Sequence, residues 1–297
     1  MKDLKLAGEL GQILFLPFDL QDEESIRKCM KYSNVVINLV GRDWTTKNYS
    51  FDQVHVEGAR RLARIARESG VEKFIHFSHL NAQPNPPSIY IKGGSKFLIS
   101  KHYGEQAVRE EFPDATVFRP ADIYGEEDRF IRYYASAWRR AHGTMPLWKK
   151  GTETIKRPIF CSDVADGVVK AILDSNSIGN TYEVVGPHAY TLSELVDFFY
   201  RCMRHQHFRR SYVTPLFKLK VLYMSFAPTY PIMTMDKLDR EHVSDILHHH
   251  PTLEDLGVKL THIEKHAPWA LKPWRKNRYY EERVGEFTDP APPVSLA

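Results

Sequence analysis

The chain has 297 residues, of which 42% are hydrophobic and 26% charged, and its formal net charge is +4. Those values belong to an ordinary globular chain, so disorder is not the default, and no basic stripe interleaved with aromatics argues for nucleic acid. Cys29, Cys161 and Cys202 lie far apart and form neither a disulfide framework nor a CxxC metal site, which favours a reducing compartment.

In chain order, "GQILFLPFDL" (11–20) has the short apolar run of a buried parallel strand ending at Asp19. "DEESIRKCMKYS" comes next as a short helix with acidic residues in its first turn, where the helix dipole favours them. "NVVINLVG" predicts a second strand ending in Gly41. "NYSFDQVHVEGARRLARIARESG" predicts a long helix, with Val54, Gly58, Leu62 and Ile65 on one stripe and Gly70 as its stop. "VEKFIHFSHL" is a third strand carrying Ser78 at its end. Ser95 to Phe112 is a helix stopped before Pro113, and "ATVFRPADIYG" a fourth strand. This alternation predicts an α/β, doubly wound parallel sheet, with all strand C-termini on one edge. Asp19, Gly41, Ser78 and Arg119 fall at or near those ends.

Beyond Gly125 the rhythm changes. "RFIRYYASAWRRAHG" reads as one helix, "RPIFCSDVADGVVKAILD" as a strand or turn leading into a helix with Asp163 near its start, and "NTYEVVGP" as a strand. The expected division is a nucleotide-binding domain over 1–187 and a small lobe and tail over 188–297, with 129–158 contributing to the lobe. "PLFKLKVLYMSFAPTYPIM" is the nearest approach to a membrane span. It is broken by two lysines and three prolines, short of the ~20 apolar residues a span needs, and reads as a surface-packing or interface segment. Adjacent His248 to His250 cannot converge on one metal, so no metal site is expected. "PWALKPWRKNRYYEER" mixes tryptophans with basic residues and suits docking to a protein or an anionic lipid surface.

"NLVG", "FIHFSHLNA", "SKHYGEQAV" and "FRPADIYGEEDRF", in this order, resemble the motifs of the extended, epimerase-like branch of the short-chain dehydrogenases. Within that branch, "GQILFLPFDLQDEESI", "GEQAVREEFPDATVFRPADIYGEEDRF" and "PTLEDLGV" resemble a family of accessory subunits of mitochondrial respiratory complex I. The resemblance implies a Rossmann-like fold and cofactor contacts from Asp19, Leu20, Gly41, Ser78, Lys101 and Arg119. Its expected cofactor is a tightly held structural NADPH, the alternatives being FAD or none. It further implies other complex I subunits as partners, and a place on the matrix side of the mitochondrial inner membrane without a transmembrane span.

Two departures stand out. The GxxGxxG loop that cradles the pyrophosphate is absent from these residues, so the sequence reads as entering near the third strand, with the loop and a targeting segment expected upstream. The second is Phe97, four residues before Lys101, where active members carry the tyrosine that exchanges a proton with the substrate carbonyl. Phenylalanine has none to give, and general acid catalysis is worth ~10²–10⁴-fold. Tyr103 lies two residues from Lys101, about 200° around the helix, and Tyr90 lies outside it, so neither replaces the lost hydroxyl. No catalytic residue is therefore expected, and the expected role is non-catalytic. The alternatives are an active oxidoreductase or epimerase, and a scaffold that binds no nucleotide.

Overall fold

The computed structural model describes residue 9 and residues 12–205, 208–226, 231–276 and 290–296. Four parallel strands form the main sheet, in the order β1 (Val35–Asn38), β2 (Lys73–Phe77), β3 (Thr116–Pro120) and then the strand Thr181–Val184. Register pairs Asn38 with His76, Phe77 with Phe118, and Pro120 with Val184, so the C-terminal ends line one edge. Strands buried on both faces need continuous apolar side chains, and Phe74, Ile75, Val117 and Phe118 are all inaccessible to solvent.

On one face lie α1 (Glu23–Met30), α2 (Ala59–Glu68) and α3 (Lys96–Glu111), which close a core of Ile26, Leu62, Ile65, Phe74 and Val108. Asp22 caps α1 and Ser95 caps α3, each side chain accepting a backbone N–H of the first turn. The helix Cys161–Leu173 covers the other face, with Val164 and Val168 against Ile75, Phe118 and Val184. A second core joins Ile131, Tyr134, Met145 and Leu147 to Leu195, Phe198, Val221 and Leu271 beside the strand ends.

Three expectations need correction. The run 11–20 makes no strand: its described residues are irregular, and Leu14 is 75% exposed. A strand exists only through its ladder, and among the described residues none lies beside this run to exchange backbone hydrogen bonds. The long helix ahead of Gly70 is wound as a π-helix over Gln53–Gly58 before α2 continues it. "RFIRYYASAWRRAHG" is not one helix. It is the short helix Ile131–Ala135 and a 3₁₀ turn Ala137–Arg139, because Ser136 adopts an extended conformation and caps the second piece. Residues 277–283 of the tryptophan-rich tail, and 227–230 of the interface segment, lie outside the described residues.

Candidate functional site

The edge strand β1 ends at Asn38, whose buried side chain shapes the turn after it. Its Oδ1 accepts from Val40 N at 3.1 Å, turning the chain toward Gly41, and its Nδ2 donates to His76 Nδ1 at 3.1 Å. The His76 proton therefore sits on Nε2, which is buried without a partner. Burial pushes this imidazole down to about 3, so it is neutral at ordinary pH.

The helix α3 delivers Lys101 to the same corner. Lys101 Nζ donates to the Phe77 carbonyl at the end of β2, 2.9 Å away. Burial pushes the amine down to about 8, against the pull of Asp43 and Glu105. Gly41 stands directly beside it, since a Cβ there would meet Lys101 Nζ at 3.4 Å and His55 Nε2 at 3.7 Å. The Gly41 backbone thus faces Lys101 and His55 with no side chain of its own between them. Ser78, next along from Phe77, is buried and its Oγ has no partner.

Phe97 is fixed more firmly than the sequence suggests. Arg42 N donates to His55 Nε2 at 3.1 Å, leaving His55 Nδ1 to donate to Ser100 Oγ at 2.8 Å; that hydroxyl donates in turn to the Phe97 carbonyl at 2.9 Å. His55 and His79 both meet the Phe97 ring edge-on. Over the ring sits the Arg240 guanidinium, 4.0 Å from the centroid. Arg240 Nη2 donates to Asp43 at 2.7 Å, and Arg129 holds the other Asp43 oxygen at 2.9 Å. Burial works to raise the Asp43 carboxyl, but Arg240, Lys237 and Arg129 outweigh it and hold it well below the usual range. Arg240 Nη1 is buried with no partner. Lys156 is buried beneath, between Asp122 at 3.1 Å and Asp245 at 3.7 Å. Phe97, Arg240, Asp43, Asp122 and Lys156 line a cavity of about 410 Å³ at the strand ends, within the range of small-molecule sites.

Of the residues picked out from the sequence, Gly41, Ser78 and Lys101 come together at this corner. Asp19 does not share their contacts: its carboxylate accepts from Gln21 N at 2.8 Å and from Tyr49 Oη at 2.8 Å, and these bonds lower its pKa. Leu20 offers its carbonyl to Arg61. Arg119 makes a two-pronged pair with Glu105 of α3, Nε at 3.0 Å and Nη2 at 2.6 Å, and so braces the helix against β3. Tyr103 is exposed on the far side of α3 from buried Lys101. The Tyr90 ring meets His242 and Lys218 instead of Lys101. Sequence reasoning missed Asp43, His55, Ser100 and Arg240. The Asp43–Arg240 pair spans 197 positions of chain and has no local pattern.

A parallel sheet whose strand ends gather a glycine, a buried serine and a helix lysine at one corner defines a Rossmann-like, dinucleotide-type α/β protein. The chain belongs to the NAD dependent epimerase/dehydratase family, whose model matches residues 4–185. A mouse protein named NADH dehydrogenase (ubiquinone) 1 alpha subcomplex subunit 9, mitochondrial, is 41% identical over 296 residues, 98% of this chain and 75% of the mouse protein. A Neurospora crassa protein named NADH-ubiquinone oxidoreductase 40 kDa subunit, mitochondrial, is 34% identical over 94% of this chain and 72% of its own length. Among solved structures, a UDP-glucuronic acid 4-epimerase from Bacillus cereus in complex with UDP-glucuronic acid and NAD superposes with a TM-score of 0.59 at 14% identity. The match covers 92% of this chain and 84% of that one and speaks to the fold.

Proposed function

We propose that this protein is a non-catalytic accessory subunit of mitochondrial respiratory complex I, held on the matrix side of the inner membrane, with a dinucleotide as a structural ligand. The observation that carries the reading is Phe97. At the position from which a hydroxyl would reach a substrate carbonyl, a ring without a proton packs under the Arg240 guanidinium, 4.0 Å from its centroid.

The residues around it suit holding a coenzyme. Gly41 leaves the backbone after β1 open to close approach, and a side chain there would crowd Lys101. The unpartnered Ser78 Oγ is a buried polar atom awaiting a bond. Lys101 would hold ribose hydroxyls, and Asp19 and Leu20 would meet the adenine edge. Arg119 serves by keeping α3 seated through Glu105. Bound NADPH supplies hydride chemistry in active relatives. Here Phe97 has no proton to give where active members carry the tyrosine, so the ligand's contribution is stability through preferential binding to the folded state, RT ln(1 + [L]/Kd) or ~2.7 kcal/mol at a hundredfold excess.

Tagged protein purified from mitochondria tests this directly. It should co-migrate with complex I on a native gel and release NADPH when denatured. Migration as a free species with no released dinucleotide would remove both halves of the reading.

A further inference from the structure

The helix Pro215–Phe226 is apolar on most of its surface, yet only one face of it is covered. Phe217 and Val221 are buried in the core with Leu195, Phe198 and Leu238. On the opposite side Leu216, Leu219, Leu222, Tyr223 and Phe226 are exposed, Tyr223 by 70% and Phe226 by 82%. At about 100° per residue these five fall within an arc about 120° wide, with Lys218 on one border and Lys220 on the other. Neither lysine crosses the stripe: Lys220 Nζ donates to the Trp138 and Arg140 carbonyls at 2.8 and 2.9 Å, and Lys218 Nζ lies 4.6 Å over the Tyr90 ring.

The surroundings repeat this chemistry. The strands Arg209–Tyr212 and Thr144–Leu147 pair in parallel beside the helix. The two stretches of sequence that carry them, 129–152 and 204–235, hold six and five Lys or Arg respectively and no Asp or Glu. Arg139 is spent on buried Glu241, Lys149 on Glu153 and Arg210 on Asp197, but Arg140, Lys150, Lys218 and Lys220 remain around the exposed face. Trp138 and Tyr212 are exposed there too, with Lys150 over the Tyr212 ring. A groove of about 710 Å³ lies between the helix and residues 140–142, lined by Leu216, Leu219 and Tyr223 together with Arg140.

We propose that this face docks on an anionic lipid bilayer, with the Leu216–Phe226 stripe in the headgroup–acyl boundary and Lys218, Lys220 and Arg140 meeting lipid phosphates. Bordering cations, amphipathic aromatic tips and flanking stretches of sequence without acids are what an anionic interface selects. Twelve helical residues reach only about 18 Å, well short of the ~30 Å hydrocarbon core, so the helix lies on the bilayer instead of crossing it. The proposal deepens the membrane-side reading above but rests on a different surface from the nucleotide site, so vesicle binding and nucleotide release fail separately.

The test is co-sedimentation of the purified chain with phosphatidylcholine vesicles, plain or with a third of the lipid replaced by phosphatidylglycerol. The anionic vesicles should bind the wild type, and Leu219→Glu with Tyr223→Glu should weaken binding more than about tenfold, since each removes a leucine- or tyrosine-sized apolar contact. Lys218→Ala with Lys220→Ala should weaken it about tenfold or more at low salt, at ~1 kcal/mol per cation. Leu173→Glu, at an exposed leucine on another helix, should leave it unchanged. Matching thermal melts establish that the variants fold. Wild-type protein that ignores anionic vesicles overturns the proposal without recourse to any variant. So does binding that is indifferent to Leu219 and Tyr223 and is competed away by single-stranded RNA, or a dimer that seals the face.

Discussion

The clamp between Asp43 and Arg240 invites the sharpest perturbation. Arg240→Met keeps the length of the side chain and removes the guanidinium. The two side chains are 12% and 23% exposed, so the pair is nearly buried, and removing one partner of a buried pair costs about 3–5 kcal/mol. Two features move that figure. Asp43 keeps Arg129 at 2.9 Å, which reduces the loss to about 2 kcal/mol, and the stack over Phe97 adds about 1. The expected destabilisation is therefore about 3 kcal/mol, or roughly 5 °C in Tm for a chain of this size. A double-mutant cycle with Asp43→Asn, read by urea unfolding, isolates the pair and should give a coupling of about 1.5–2 kcal/mol. Additivity of the two substitutions within about 0.5 kcal/mol would refute the clamp.

Other expectations rest on the same geometry. A methyl on Gly104 would drive into the His55 carbonyl where α3 crosses the π-wound turn, so Gly104→Ala should cost about 1–3 kcal/mol. Wild-type stability in urea for that variant would show that the two helices are not pressed together. His55, His76 and His242 are buried and pushed down to about 3, 3 and 4. The unfolded chain binds those protons near 6.5 and the folded chain only well below, so stability is full above about pH 6.5 and falls as pH drops toward 4. The limiting slope is about 1.4 kcal/mol per histidine per pH unit. A urea midpoint that is flat from pH 7 to 5 contradicts this. Gly41→Ala should weaken nucleotide retention more than it weakens the fold, because the added Cβ meets only the ends of Lys101 and His55. Equal dinucleotide content in the variant would count against Gly41 as the coenzyme's approach.

The legible parts of the sequence were periodic or local. Strands such as Lys73–Phe77 and helices such as Lys96–Glu111 emerged from apolar runs, caps and a following proline, and Lys101 stood out because its helix carries a motif. The run 11–20 failed for a physical reason: apolar composition signals burial, but a strand needs a neighbour, and composition does not supply one. Arg240 and Asp43 were invisible because their partnership is tertiary. His55 looked like any helix residue until the π-turn aimed it between Arg42 and Ser100. Phe97 was readable as a loss. The arginine stacked on its ring was not.

The central claim is that the pocket holds a coenzyme it cannot use. Its most direct test is stopped-assay product analysis of purified wild-type protein given excess NADPH and a panel of ketones, aldehydes and sugar nucleotides. The account predicts no product above the uncatalysed background while dinucleotide remains bound. Sustained NADPH oxidation matched mole for mole by reduced product would contradict it.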